Sequence, residues 1–324
     1  MPRARHRSHD AAAEAPREPL SIFKLTRQHE ERHSMKQRIG MIGVGLMGHG
    51  IARNVMKHGY PLTVVEHPGN QPLDELLAGG VKTVANGEAL ARASDIVILC
   101  VTGSPEVEAV LTAPDGVLAG LQPGAIVIDC STAVPASTQR MAALVKEAGG
   151  LFVDAPMTRT AKEAHEGRLN LLVGASAELF ARIEPLLRTY AENVTLVGDV
   201  GAGHSMKLLH NFVSLGTIAL ISEAAACAKR AGVDAQTFVD VLAKGGGGGA
   251  ALERLRPSLI DGDPSGMPFH MSNALKDLGY YVTMAGDNNA VDAIAGAVRA
   301  TYADAVEQGG AHRTLLELPR LLGD

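Results

Sequence analysis

From Arg38 onward the chain alternates short apolar runs with longer stretches whose apolar positions recur every three to four residues. RIGMIG, PLTVVE, ASDIVILCV, GAIVIDC, GLFVDA and RLNLLVG read as strands, and LMGHGIARNVMKHG, PASTQRMAALVKEAG and ASAELFARIEPLLRTYA as the helices between them. Strands that are apolar throughout, alternating with helices, predict a parallel sheet covered on both faces: a doubly wound α/β domain ending near NVTLVGD. After Gly198 the strand signal stops. GAGHSMKLLHNFVSLGTIALISEAAACAKRAG, residues 201–232, reads as one long helix that opens in a Gly-Ala-Gly turn and stops at Gly232. The rest of the chain is helical again: AQTFVDVLAK, ALERLRPSLI, SNALKDLGYYVTMAG and VDAIAGAVRATYADAVEQG, with a glycine run at Gly245 to Gly249. The expected organisation is a disordered extension over 1–34, an α/β domain over 35–199 and an all-helical domain over 200–324.

Composition narrows the classes. At 324 residues, 46% hydrophobic and with 36 glycines, the chain suits a compact two-domain protein with many turns. A net charge of −5 and the lack of an aromatic-interleaved basic patch beyond the N-terminus give no reason to expect nucleic acid. Three cysteines, Cys100, Cys130 and Cys227, without CxxC spacing, fit a reducing, cytoplasmic setting and no disulfide framework or zinc site. Between Leu208 and Cys227 the long helix is apolar enough to resemble a membrane span. His210, Asn211, Ser214 and Glu223 interrupt it, so a buried central helix is expected and no membrane.

The chemistry-bearing residues fall at strand ends and at the start of the long helix. Gly43-Val44-Gly45-Leu46-Met47-Gly48 is a G-x-G-x-x-G directly after a strand and opening a helix, the arrangement that cradles a dinucleotide pyrophosphate. About 20 residues on, the second strand ends in Glu66, placed to accept from ribose hydroxyls and to repel a 2′-phosphate, so NAD(H) is favoured over NADP(H). His67 follows it where an arginine would clamp that phosphate. Asp129-Cys130-Ser131-Thr132 leaves a strand at the ligand edge of such sheets; Ser131 and Thr132 can bind an acid group or cap the next helix. Arg159, in Asp154-Ala155-Pro156-Met157-Thr158-Arg159-Thr160, can grip an anion with several donors or be an ordinary surface arginine. On the long helix Lys207 and Asn211 stand one turn apart on one face, with His204 a turn earlier. Burial would lower the lysine's pKa towards acid–base use, unless its head snorkels to water. His204 and His210 point too far apart round the helix to share a metal, and none is expected.

Taken in order, IGMIGVGLMGHGIARNVMKHG, DCST, DAP…EGRLNLLVGA, GAGHSMKLLHN and NALKDLG resemble the β-hydroxyacid dehydrogenase family, over nearly everything from Met35 onward. The resemblance implies a Rossmann domain joined by a long helix to a helical, oligomerising domain, in a homodimer or homotetramer. It implies NAD(P)-dependent hydride transfer to or from a small anionic hydroxy acid or aldehyde, with Lys207 as the acid–base and Asn211 orienting the substrate. Ser131 and Thr132 match its substrate-binding hydroxyl motif. Lys276 and Asp277 match its late pair near the cofactor, and the glycine run a loop that closes over the substrate. Val101 and Thr102, at the exit of ASDIVILCV, carry over as cofactor contacts, although Thr102-Gly103 replaces the family's Leu-Pro-Asn-like turn. His210 stands where the family has the first of two asparagines. Thr158-Arg159-Thr160 replaces the usual Ser-Gly-Gly and resembles the Gly-Arg-Thr of sulfolactaldehyde reductases, so Arg159 and Thr160 are expected on the acid group, a sulfonate or a carboxylate. The alternatives are a dinucleotide-binding module without catalysis and an imine or 6-phosphogluconate type of dehydrogenase.

Overall fold

The computed structural model describes residues 36–323; the N-terminal extension, with its expected disorder, lies outside them. The strands among the described residues are β1 (Ile39–Ile42), β2 (Leu62–Val65), β3 (Lys82–Val84), β4 (Ile96–Leu99), β5 (Ile126–Asp129), β6 (Leu151–Asp154), β7 (Met157–Thr158), β8 (Leu169–Gly174) and β9 (Ala191–Gly198). They form one sheet in the order β3-β2-β1-β4-β5-β6-β8-β7, with β9 beside β8. The strand sequence reverses direction across β1 and β4, so the crevice for a ligand opens at their C-terminal ends.

Alternate residues of the strands feed two separate cores. Ile96, Ile98, Ile126 and Ile128 join the apolar cluster on one face, and Val97, Leu99 and Val127 the cluster on the other. Burial on both faces is why these strands read as unbroken apolar runs. A third cluster, built on Leu215, Ile218, Leu252, Leu255, Leu278 and Tyr302, belongs to the helices after β9.

The expectation of a parallel sheet holds from β3 to β6 and fails at the far side, where β8 runs antiparallel to β6 and β7. Asp154 pairs with Gly174, Met157 with Leu171 and Thr158 with Asn170, a single register. Thus β6 and β7 are one run interrupted at Pro156, which has no N–H to give the ladder. The two-residue β7 and the three-residue β3 are too short to leave a hydropathy signal. The long helix spans Ala202–Arg230. It starts from Gly201 and stops before Gly232, and both glycines take the left-handed conformation (φ 97° and 74°). It is long and apolar enough to cross a membrane, yet Leu208, Leu215, Ile218 and Ala219 along it are buried within the protein.

Candidate active site

The turn after β1 is built for a ligand at one glycine and for the protein at the other two. Gly43 has φ 91°, and a Cβ there would overlap the Cys100 carbonyl; a Cβ on Gly48 would overlap the carbonyl of Gly43. At Gly45 a Cβ would meet nothing nearer than Gly69 O, 3.9 Å away. The fold therefore leaves open space over Gly45, where the helix Leu46–Lys57 presents its N-terminus, as a pyrophosphate requires. Val44 N–H donates to Asn70 Oδ1 (3.3 Å) and Asn70 Nδ2 to Val65 O (3.0 Å), so Asn70 ties this turn to the end of β2. The sequence pattern did not single out Asn70, whose role depends on a loop contact rather than a motif. Beside it lies a hollow of about 430 Å³ lined by Glu66, His67, Pro68, Asn70, Gln71 and Leu73. Glu66 is exposed on its rim. The His67 ring accepts from Gly69 N–H through Nδ1 (3.0 Å). These residues fit a dinucleotide: an open cradle, a helix N-terminus and a carboxylate beside a hollow.

The long helix is docked by its first turn onto the end of β6. Asp154, fully buried, accepts from Gly201 N–H (2.7 Å) and His204 N–H (2.8 Å), two of the donors a helix start leaves free. The next turn carries Lys207, half-buried along its length. Desolvation pushes its ammonium down to about 8, against an upward pull from Asp277 and with Lys276 adding to the fall. Asn211 Nδ2 donates to Asp277 Oδ2 (2.7 Å), and Asn211 Oδ1 lies 3.1 Å from His210 Nδ1. His210, at the departure from the paired asparagines, thus holds the amide of the remaining one.

Asp277 belongs to the helix Met271–Asp287, which links the long helix to the exit of β4. Lys276 Nζ donates to Thr102 O (2.8 Å), contacts Asp277 Oδ1 at 2.9 Å and lies 4.9 Å over the Tyr280 ring. Tyr280 Oη accepts from Ser104 N–H (3.2 Å). A Cβ on Gly103 would overlap that hydroxyl, which accounts for Thr102-Gly103 here. Tyr280 was invisible to motif reading because its partner is 176 residues away.

Ser131 also arrives at this exit: its Oγ accepts from Val101 N–H (3.0 Å), leaving the hydroxyl proton to donate elsewhere. Thr132 follows, half-buried. The structure therefore brings Val101, Thr102, Ser131, Lys276, Asp277 and Asn211 into one connected set, which meets the helix bearing Lys207 at Asn211. Arg159 and Thr160 stand apart from it. Arg159, in the left-handed region at φ 80°, gives its guanidinium to the Glu192 carboxylate and the Arg168 carbonyl. Thr160 caps the helix Ala161–Glu166 in a capping box with Glu163. The pair expected on the acid group is here engaged in an ion pair and a helix cap. Among the described residues no cluster of His, Cys, Asp and Glu has the makings of a metal site.

Two family descriptions match successive stretches of the chain. Residues 38–198 match the NAD-binding domain of 6-phosphogluconate dehydrogenase, and residues 201–322 the NAD-binding region of NADP-dependent 3-hydroxyisobutyrate dehydrogenase. The chain is 32% identical to 2-(hydroxymethyl)glutarate dehydrogenase of Eubacterium barkeri over 78% of its length and 83% of that protein. It is 34% identical to 2-hydroxy-3-oxopropionate reductase of Escherichia coli over 61% of its length and 67% of that protein. The solved 3-hydroxyisobutyrate dehydrogenase of Salmonella typhimurium is similar with a TM-score of 0.75 and 27% identity, over 88% of this chain and 99% of that one. A dinucleotide cradle, a long helix bearing a half-buried lysine and two matching halves in this order make the chain a member of the β-hydroxyacid dehydrogenase family, an NAD(P)-dependent 3-hydroxyacid dehydrogenase of the 3-hydroxyisobutyrate type.

Proposed function

We propose that the protein interconverts a short β-hydroxy acid and its semialdehyde with Lys207 as the general acid–base, using NAD(H) in preference to NADP(H). The observation that carries this is the Lys207 ammonium, lowered to about 8 by desolvation one turn before the Asn211–Asp277 pair. A group with a pKa near neutrality populates both protonation states at working pH, which proton transfer in both directions needs. When bound, the nicotinamide supplies or accepts the hydride. Lys207 gives a proton to the oxygen of the aldehyde during reduction and removes it from the hydroxyl during oxidation. The Asn211 amide, fixed by Asp277, has a second N–H with which to orient that oxygen. The Ser131 and Thr132 hydroxyls hold the acid group. With the Arg159 guanidinium committed to Glu192, a carboxylate is favoured over a sulfonate.

Lys207→Ala is expected to bind NADH normally and lose about 10²- to 10⁴-fold in turnover, the usual range for a general acid–base. Retained turnover would sink the assignment. Reduction should fall and oxidation should rise as pH increases through about 8, because the first needs the ammonium and the second the amine. A profile flat from pH 7 to 9 in both directions would contradict it.

The cofactor preference rests on Glu66, exposed beside the hollow, and on His67, whose Nδ1 lone pair is already used. NADH is expected to exceed NADPH in kcat/KM by roughly tenfold or more, equivalent to about 1.4 kcal/mol of repulsion or lost ribose bonding. Glu66→Arg should narrow or reverse the ratio; an unchanged ratio would remove Glu66 from cofactor selection. We also propose a homodimer or homotetramer. Its support is the exposed apolar row Met206, Leu209, Val213 and Leu220 on the long helix, larger than scattered surface apolar residues.

A further inference from the structure

His204 is fully buried, one turn before Lys207 on the same face of the long helix. Its Nε2 lies 3.1 Å from Ser131 O and its Nδ1 2.7 Å from Thr138 Oγ1. A carbonyl only accepts, so Nε2 carries a proton. Thr138 has one hydroxyl proton, and its Oγ1 is also 3.2 Å from Val134 O. Given to Val134, that proton leaves Oγ1 to accept from Nδ1–H, and the ring is then doubly protonated.

The surroundings call for that charge. Asp129 and Asp154 are both fully buried, with Asp129 Oδ2 3.8 Å from Nε2 and Asp154 Oδ2 3.8 Å from Nδ1. Asp129 Oδ2 has no hydrogen-bond partner. The other titratable groups beside Asp129 are Cys100 and Cys130, whose thiols burial keeps neutral. Among the described residues His204 is the only basic side chain within ion-pair distance of either carboxylate. An uncompensated buried carboxylate is costly, whereas an imidazolium between two of them offsets part of that cost.

We propose that His204 is a positioning residue: a buried imidazolium, locked between Asp129 and Asp154, that ties the Lys207 turn of the long helix to the Ser131–Thr132 turn. The proposal rests on Lys207 being the acid–base. Lys207 comes from the long helix and the acid-binding hydroxyls from the end of β5, and His204 bonds directly from the first to the second. A displacement of about 1 Å between them is enough to lower turnover by orders of magnitude without touching the cofactor turn.

The test has one arm on the unaltered protein and one on variants. In ¹⁵N-histidine-labelled wild-type protein, the His204 signal, identified by its absence in His204→Gln, is expected to show both ring nitrogens protonated. In single-turnover reduction, His204→Gln, which keeps an Nε2 donor without the charge, should slow NADH oxidation about tenfold or more with NADH affinity unchanged within about twofold. His204→Asn should behave alike and substitutes if the glutamine variant fails to fold, serving also for assignment. A neutral single-tautomer ring would overturn the imidazolium, and folded variants with undiminished single-turnover rates would overturn the positioning role. If Lys207→Ala retains turnover, the acid–base reading fails while the charge state of His204 is still read directly.

Discussion

Two loops that leave the sheet at its C-terminal edge, Gly43–Gly48 and Asp154–Thr160, carry equally suggestive residues and use them differently. In the first, Gly43 and Gly48 are demanded by the protein's own backbone, while Gly45 faces open space that only a ligand would occupy. In the second, the conspicuous groups are taken up internally: Asp154 by the long helix, Arg159 by Glu192, Thr160 by its own helix start. A motif points to a ligand when the fold leaves its recognition groups unspent, and to architecture when it does not.

The sharpest way to break this comparison is within the first loop. Gly48→Ala sets a Cβ against the Gly43 carbonyl, backbone on backbone, and should destabilise the fold by about 1–3 kcal/mol or more, read as a fall in the midpoint of denaturant unfolding. Gly45→Val should leave that midpoint within about 0.5 kcal/mol, as at other open positions. Its effect should appear instead as a rise in KM for NADH of roughly tenfold or more, each tenfold corresponding to about 1.4 kcal/mol. If the two variants behaved alike, in stability or in cofactor binding, the division of labour among the three glycines would be wrong.

The same division explains what could be read in the sequence. Strand and helix positions were legible because apolar runs and apolar periodicity are local, and the glycine caps of the long helix report a local left-handed backbone. The antiparallel turn of β8 was not, since nothing local distinguishes a strand added parallel from one added antiparallel. Lys207, Asn211 and Glu66 stood out by type and place. Tyr280, Asn70 and Asp154 did not, because each matters through a partner that only the fold supplies. Arg159 was legible as a residue, but its contact was not: its partner Glu192 is 33 residues away on β9, beyond β8.

That partner makes the smallest predicted effect the most informative about the second loop. Arg159 holds a left-handed backbone that a side chain adopts at a cost of about 1–2 kcal/mol, which glycine would relieve. Glycine also raises the entropy of the unfolded chain, by about 0.5–1 kcal/mol relative to alanine, in the opposite direction. The ion pair it loses is partly exposed and screened, and contributes little to either side. Arg159→Gly is therefore expected to unfold at nearly the wild-type midpoint. Turnover of tartronate semialdehyde and methylmalonate semialdehyde should stay within about twofold, since an interaction absent from the transition state changes neither kcat nor KM. Sulfolactaldehyde run in parallel provides the opposing case. A collapse confined to the sulfonate would mean that the guanidinium leaves Glu192 to bind substrate, and the loop would then belong with the glycine turn as a ligand site.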